Sequence, residues 1–448
     1  MIRTSILDNG IRLVSEQMSD VHSLAIGVWV GTGSRDESDQ ELGTSHFLEH
    51  MLFKGTDTRS AKEIAQTVDA KGGDMNAFTT KEYTAFYIRI LSEHLDIALD
   101  ILCDMLTNPA LNSNDVDAER EVILDEILMH EDEPADLVGD LFSEALFPDH
   151  PLGRDVAGTA ASVSLLDSKQ LRRFFERHYQ PENMVVAAAG AVDHDGLCSN
   201  LTKRFLSRHE RHVIQLGYDG QFGQVEYGEP FRLRQPTVSK ARLLVTRQKP
   251  IEQGHIIIGV KTFPCKDQRR WALAILNHTL GGGISSRLFQ EIREEKGLAY
   301  SIWSENAYYS DTGFLSVSLG TAPKHAMEVT ELVLKEISSL SEHGINRNEL
   351  ALSRDHLKAD MLLSYEDSNS RMGRIGHGLL LHGEVLTVEQ ILTKIDSVTI
   401  DQVQSVAADV FQQKPTIAVV GPPNVISAFE QAVDESTGLS GLTANSKI

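Results

Sequence analysis

A long-range repeat constrains this chain more than any other feature of its sequence. VVAAAG, ending at Gly190, resembles IAVVG, ending at Gly421, and the two glycines lie 231 residues apart. The same offset carries the β-rich run at 22–31 onto 253–262 (QGHIIIGVKT), again an apolar strand. It carries the helical pattern at 95–106, with Leu95, Leu99, Leu102 and Leu106 at helix spacing, onto 326–337. There Met327, Leu332 or Val333, and Leu334 supply the apolar face. The alternating strand at 83–91 (YTAFYIRIL) lands near 313–320 (GFLSVSLG), and the charged helix at 115–130 lands near 347–361. Five matches at one spacing describe two copies of one domain in which strands and helices are mixed. The expected fold is therefore α+β: two homologous domains, each an antiparallel-rich sheet packed with helices, related by internal duplication. A glycine-rich stretch without a long apolar run divides them. The expected boundaries are 1–216, a linker at 217–235, and 236–448.

Charge narrows the function classes. A formal net charge of −22 lacks the basic stripe that a nucleic-acid binder needs to neutralise phosphate, and it suits cationic peptides or metal ions better. Cys103, Cys198 and Cys265 are too few and too far apart for a disulfide framework or a cysteine zinc site, which fits a reducing compartment. Asp8, Asn9 and Gly10 interrupt the N-terminal segment before an apolar signal core develops. The small-apolar run at 184–192 is about half the length of a membrane span. The expectation is a soluble cytoplasmic protein with no membrane span.

His46-Phe47-Leu48-Glu49-His50 carries the strongest chemical signal. On a helix, positions four apart share a face, so two imidazoles there can bind one metal ion while Glu49 sits close enough to hold its water. This is the reverse of the commoner HExxH order. A catalytic zinc needs a third protein ligand and an open position, and the candidates are Glu119 and Glu126, seven residues apart on one helix and so facing alike. At the 231-residue offset, His46, His50 and Glu126 correspond to Asn277, Gly281 and Leu357, so all three candidate ligands are lost together in the second copy. A single working site in the first copy accounts for that.

The HxxEH string, the glutamate inside Glu119–Glu126 (ERxVIxxE), and the texts HFLEHMLFKGT and GGDMNAFTTKEYT resemble the pitrilysin (insulinase) family of zinc peptidases, closest to its processing-peptidase branch and bacterial relatives. The resemblance runs over essentially the whole chain. It implies that His46, His50 and Glu126 hold one Zn2+ per chain, that Glu49 is the general base, and that Glu119 is a supporting catalytic carboxylate. It implies that the strand holding Asn76, Ala77 and Phe78 takes an extended substrate by strand addition. Arg293 and Tyr300, in the string REEKGLAY, match substrate contacts that could stabilise charge developing in the transition state. The implied protein is a bacterial zinc endopeptidase acting on peptides or unfolded polypeptide segments. Its first domain is active and its second degenerate. The family's chamber uses four such domains, so a homodimer is implied. The rival reading is a non-catalytic assembly subunit of the same fold, like the core proteins of respiratory complexes, although such relatives have typically lost part of the metal motif.

Overall fold

A computed structural model describes residues 1–209, 234, 237 and 240–434. Apart from Arg234, the expected linker at 217–235 lies outside the described residues.

Among the described residues, the first half of the chain contains six strands: β1 (Ile2–Ile6), β2 (Arg12–Gln17), β3 (Ser23–Val30), β4 (Asp74–Thr79), β5 (Thr84–Leu91) and β6 (Met184–Gly190). Its helices are α1 (Thr44–Leu52), α2 (Ala61–Asp69), α3 (Leu95–Thr107), α4 (Ser113–Asp132), α5 (Pro134–Leu146), α6 (Ala160–Val163), α7 (Ser168–His178) and α8 (His194–His209). The second half has β7 (Leu244–Gln248), β8 (Gly254–Thr262), β9 (Ala299–Tyr308), β10 (Gly313–Thr321) and β11 (Thr416–Gly421). With them come α9 (Arg270–Gly281), α10 (Ala326–His343), α11 (Arg347–Ser364), α12 (Ser368–His377), α13 (Val388–Ser397), α14 (Ile400–Phe411) and α15 (Pro423–Asp434).

One sheet runs β1-β2-β6-β3-β5-β4 and the other β7-β11-β8-β10-β9. The two orders are the same once the extra β1 is set aside. In each sheet one pair is parallel, β2 with β6 and β7 with β11, and the other pairs are antiparallel. The central strands are continuous apolar runs because both of their faces are covered. Every residue of β6 is buried, and so is every residue of β11. β4 lies at an edge, and its residues alternate between exposed and half-buried. On α10 the buried residues are Ala326, Val329, Thr330, Val333 and Leu340, so Val333 of the expected face is buried, while Met327, Leu332 and Leu334 are partly buried against the same core.

Two compact units result. One comprises Met1–Ile127, Asp155–Arg234 and Leu362–Thr387, the other Leu128–Arg154, Gln235–Met361 and Val388–Ile448. Each takes a helix from the opposite half of the sequence. In the second unit Leu137, Leu141, Phe142 and Leu146 of α5 pack on Ile257, Ala418 and Val420 of the sheet. A Cβ at Gly259 would lie 2.5 Å from the Phe142 ring, so that strand position admits only glycine. In the first unit α12 lies on β2, β3 and β6, and a Cβ at Gly376 would lie 2.7 Å from the Trp29 ring.

Candidate metal centre

Helix α1 starts at a backbone turn that glycine makes possible. Gly43 has φ of 87°, and a Cβ there would meet Ala157 O at 2.5 Å. No side chain of the cap residue serves the first turn of the helix. Glu37 does so instead, its carboxylate accepting from Gly43 N at 2.8 Å and Ser45 N at 2.6 Å. Burial outweighs those donors and pushes the Glu37 carboxyl up to about 8. Phe47, Leu48, Met51 and Leu52 face the core. His46 and His50 are left on the half-buried side, with ring centroids 4.7 Å apart.

Helix α4 brings Glu119 and Glu126 to the same imidazole. Glu126 Oε2 lies 3.7 Å from His46 Nε2 and 3.5 Å from His50 Nε2. Glu119, only 5% exposed, places Oε1 2.9 Å from His50 Nδ1. A carboxylate can only accept, so Nδ1 donates to Glu119, and this turns Nε2 toward Glu126. Burial first, and His50 second, push His46 below the usual histidine range, against the pull of Glu126 and Asp155. A neutral imidazole is the form that ligates a metal.

These residues fit a zinc ion. Ligand bonds of about 2.1 Å in a tetrahedron set donor atoms about 3.4 Å apart. The glutamate–histidine separations of 3.5 and 3.7 Å are close to that. One potential ligand atom each from His46, His50 and Glu126 lies within 4.8 Å of the other two, a spacing that a single cation can bridge. The His50–Glu119 pair has the geometry of the carboxylate–histidine pairs that fix tautomer and ring orientation in metal sites. His46 Nδ1 is buried without a hydrogen-bond partner among the described residues, so this support reaches only one of the two rings.

Glu49 lies half-buried beside the histidines. Thr79 Oγ1, at the end of β4, donates to its Oε2 at 2.6 Å. Burial raises the Glu49 carboxyl above its ordinary range, with the Thr79 bond working against the rise. Asn76, Ala77 and Phe78 precede Thr79 on β4, which among the described residues pairs with β5 alone. Asn76 is exposed, and its Oδ1 accepts from Ala77 N at 2.8 Å. Phe78 is 39% exposed and meets the edges of Tyr83 and Tyr87. Arg293 and Tyr300 belong to the second unit. The Arg293 guanidinium lies 4.6 Å from the Phe289 ring centre and 5.6 Å from that of Tyr300, and Tyr300 is 82% exposed.

Two participants escaped the sequence reading. Lys54 forms an ion pair with Glu119 on the oxygen that His50 leaves free. Thr79 grips Glu49 across 30 residues of sequence. Both stand in the strings HFLEHMLFKGT and NAFT, but nothing in their spacing announces the contact.

Among the described residues no helix is long and apolar enough to cross a membrane. A family model described as insulinase (peptidase family M16) matches residues 12–160, and one described as peptidase M16 inactive domain matches 166–357. The chain is 43% identical to an uncharacterized zinc protease of Mycobacterium tuberculosis over 94% of its own length and 93% of the relative's. It is 38% identical to one of Bacillus subtilis, over 94% and 98% of the two chains. Among solved structures, a protease from Helicobacter pylori superposes with a TM-score of 0.83 at 22% identity, covering 94% of this chain and 99% of that one, which is a likeness of fold.

Proposed function

Since the chain belongs to the insulinase family of zinc peptidases, family M16, we propose that it is an endopeptidase whose single zinc ion rests on His46, His50 and Glu126, with Glu49 as general base. The convergence of three potential ligand atoms, all within 4.8 Å of one another beside a half-buried carboxylate, carries the reading. Bound there, zinc supplies a Lewis acid that lowers the pKa of water toward ~7. Glu49 accepts the proton of the attacking water and delivers it to the departing amine. Glu119 keeps the His50 ring in one orientation, and Lys54 keeps the Glu119 charge paired.

The edge of β4 accepts an extended peptide as an added strand, with Asn76 and Ala77 opposite its backbone and Phe78 offering an aromatic face. Arg293 and Tyr300 stabilise negative charge on the scissile carbonyl oxygen. One chain supplies two of the four domains that the family resemblance implies for a closed chamber. A homodimer would complete it, with Arg293 and Tyr300 of each subunit serving the other's site, and would admit peptides and unfolded segments. The two copies are read as 1–216 and 236–448, joined through 217–235. Cys103, Cys198 and Cys265 form no disulfide among the described residues, which suits a cytoplasmic setting.

The test is a mixed peptide library digested with and without chelator and read by mass spectrometry, using wild type and Glu49→Gln. The reading expects chelator-sensitive cleavage by wild type. Glu49→Gln should keep its zinc and lose about a thousand-fold or more in turnover, because its amide cannot accept the proton. Cleavage that survives zinc removal, or a metal-replete Glu49→Gln with substantial turnover, overturns it. No cleavage by zinc-loaded wild type would favour the assembly-subunit reading.

A further inference from the structure

Thr79 stands at the junction of two structures, as the last residue of the edge strand β4 and the hydrogen-bond donor to Glu49. Among the described residues, the other acceptor within reach of that hydroxyl is Thr84, its partner across the β4–β5 pair, whose Oγ1 is 3.4 Å away. Thr84 is fully buried, and its own proton goes to the carbonyl oxygen of Thr32 at 3.0 Å. A hydroxyl has one proton to give. Thr84 Oγ1 keeps lone pairs that could accept, but at 3.4 Å against 2.6 Å the shorter contact wins, and the Thr79 proton points to Glu49. At 2.6 Å the bond has the length of a charge-assisted O–H···O⁻ contact.

We propose that Thr79 is a positioning residue of the hydrolytic reaction: its hydroxyl occupies Glu49 Oε2 and so turns Oε1 toward the water whose proton it must take. The inference rests on the reading of Glu49 as general base. It has a geometric corollary. The strand that receives the substrate backbone also holds the base, so peptide and base are registered to each other through a single residue rather than through two independently moving elements. Small misplacements of a reacting group cost large factors in rate, which is why such a shared anchor matters.

Thr79→Val keeps the shape and β-branching suited to a strand and removes only the hydroxyl. Thr79→Ser restores it, and Thr79→Ala serves should the valine variant fail to fold. Each is assayed on a library peptide that wild type cleaves, with kcat and KM separated and zinc content measured on the same samples. Losing a hydrogen bond to a charged group predicts a fall in kcat of about 10- to 100-fold in the valine or alanine variant. KM and zinc content should stay within about two-fold and Thr79→Ser within about three-fold of wild type in kcat. Wild-type kcat in Thr79→Val overturns the inference while leaving Glu49 as base. So does a loss confined to KM or to zinc content, which would make Thr79 a substrate contact or a structural residue. Turnover by metal-replete Glu49→Gln would instead remove the reading beneath it.

Discussion

The α1–α4 pair of the first unit and the α9–α11 pair of the second occupy corresponding places in two sheets of the same strand order, yet their polar groups are arranged on opposite principles. In the second unit, the side chains join in a run of hydrogen bonds that ends on a backbone carbonyl. His278 Nδ1 lies 2.9 Å from Ser353 Oγ, Ser353 Oγ lies 3.0 Å from Thr279 Oγ1, and Thr279 donates to Ile275 O at 3.1 Å. In the first unit, His46, His50 and Glu126 each turn a potential ligand atom toward the other two. A run of hydrogen bonds holds a core together unaided, whereas a convergence of ligand atoms suits a cation. The comparison teaches that the scaffold tolerates either and that chemistry resides in a handful of side chains.

The hardest way to break the comparison is to remove one of the converging ligand atoms. His50→Ala leaves two ligands where zinc requires three, and elemental analysis should find bound metal falling from about one ion per chain to below about 0.1. Stoichiometric zinc in that variant would move the site elsewhere. A gentler cut is Glu119→Gln, which replaces the carboxylate that accepts from His50. Zinc affinity should weaken about 10- to 100-fold in competition with a chromogenic chelator, with the fold intact. An unchanged affinity would make Glu119 a structural acid paired with Lys54.

A third test addresses the scaffold the two regions share. Gly376→Val drives a side chain into the Trp29 ring, and overpacking of this kind should cost about 1–3 kcal/mol in urea unfolding. Zinc content should not change. The smallest effect belongs to the closed cluster of the second unit. Burial, and next His356, push His278 down to about 4. The unfolded chain takes up a proton near 6.5 that the folded chain refuses until about 4, so stability should fall as pH drops through that window. In His278→Gln that part of the slope should vanish while zinc binding stays at the wild-type level. Equal slopes in the two proteins would show that the cluster does not hold His278 neutral.

Much of the fold is legible because the buried strands announce themselves. β3, β6, β8 and β11 are apolar runs covered on both faces, so each stands out in the sequence and its counterpart recurs at the repeat distance. Helix α1 is legible because His46 and His50, four apart, share a face, the same spacing that the proposed metal site requires. Glu119 and Glu126 sit seven apart and do reach one imidazole. Contacts made across the fold leave no such trace. Lys54 meets Glu119, Thr79 meets Glu49, and Glu37 serves the first turn of α1, all through tertiary approach rather than periodicity. The destinations of α5 and α12 are hidden for another reason. An amphipathic helix shows which face it buries but not against what, and the apolar spacing of Leu137, Leu141 and Phe142 would suit either sheet equally.

That exchange of helices bears on how the protein is made. Trp29 and the sheet face around it are covered by a helix that begins at Ser368, so most of the chain must leave the ribosome before the first unit can close. Until then β2, β3 and β6 present an apolar face to solvent. Helix α5, synthesised early, waits more than a hundred residues for β8 and nearly three hundred for β11. Domain-by-domain folding during translation, the usual protection of long chains, is thus denied to this one. The two halves must mature together, and a nascent chain stalled before residue 368 would be a natural client for chaperones and proteases.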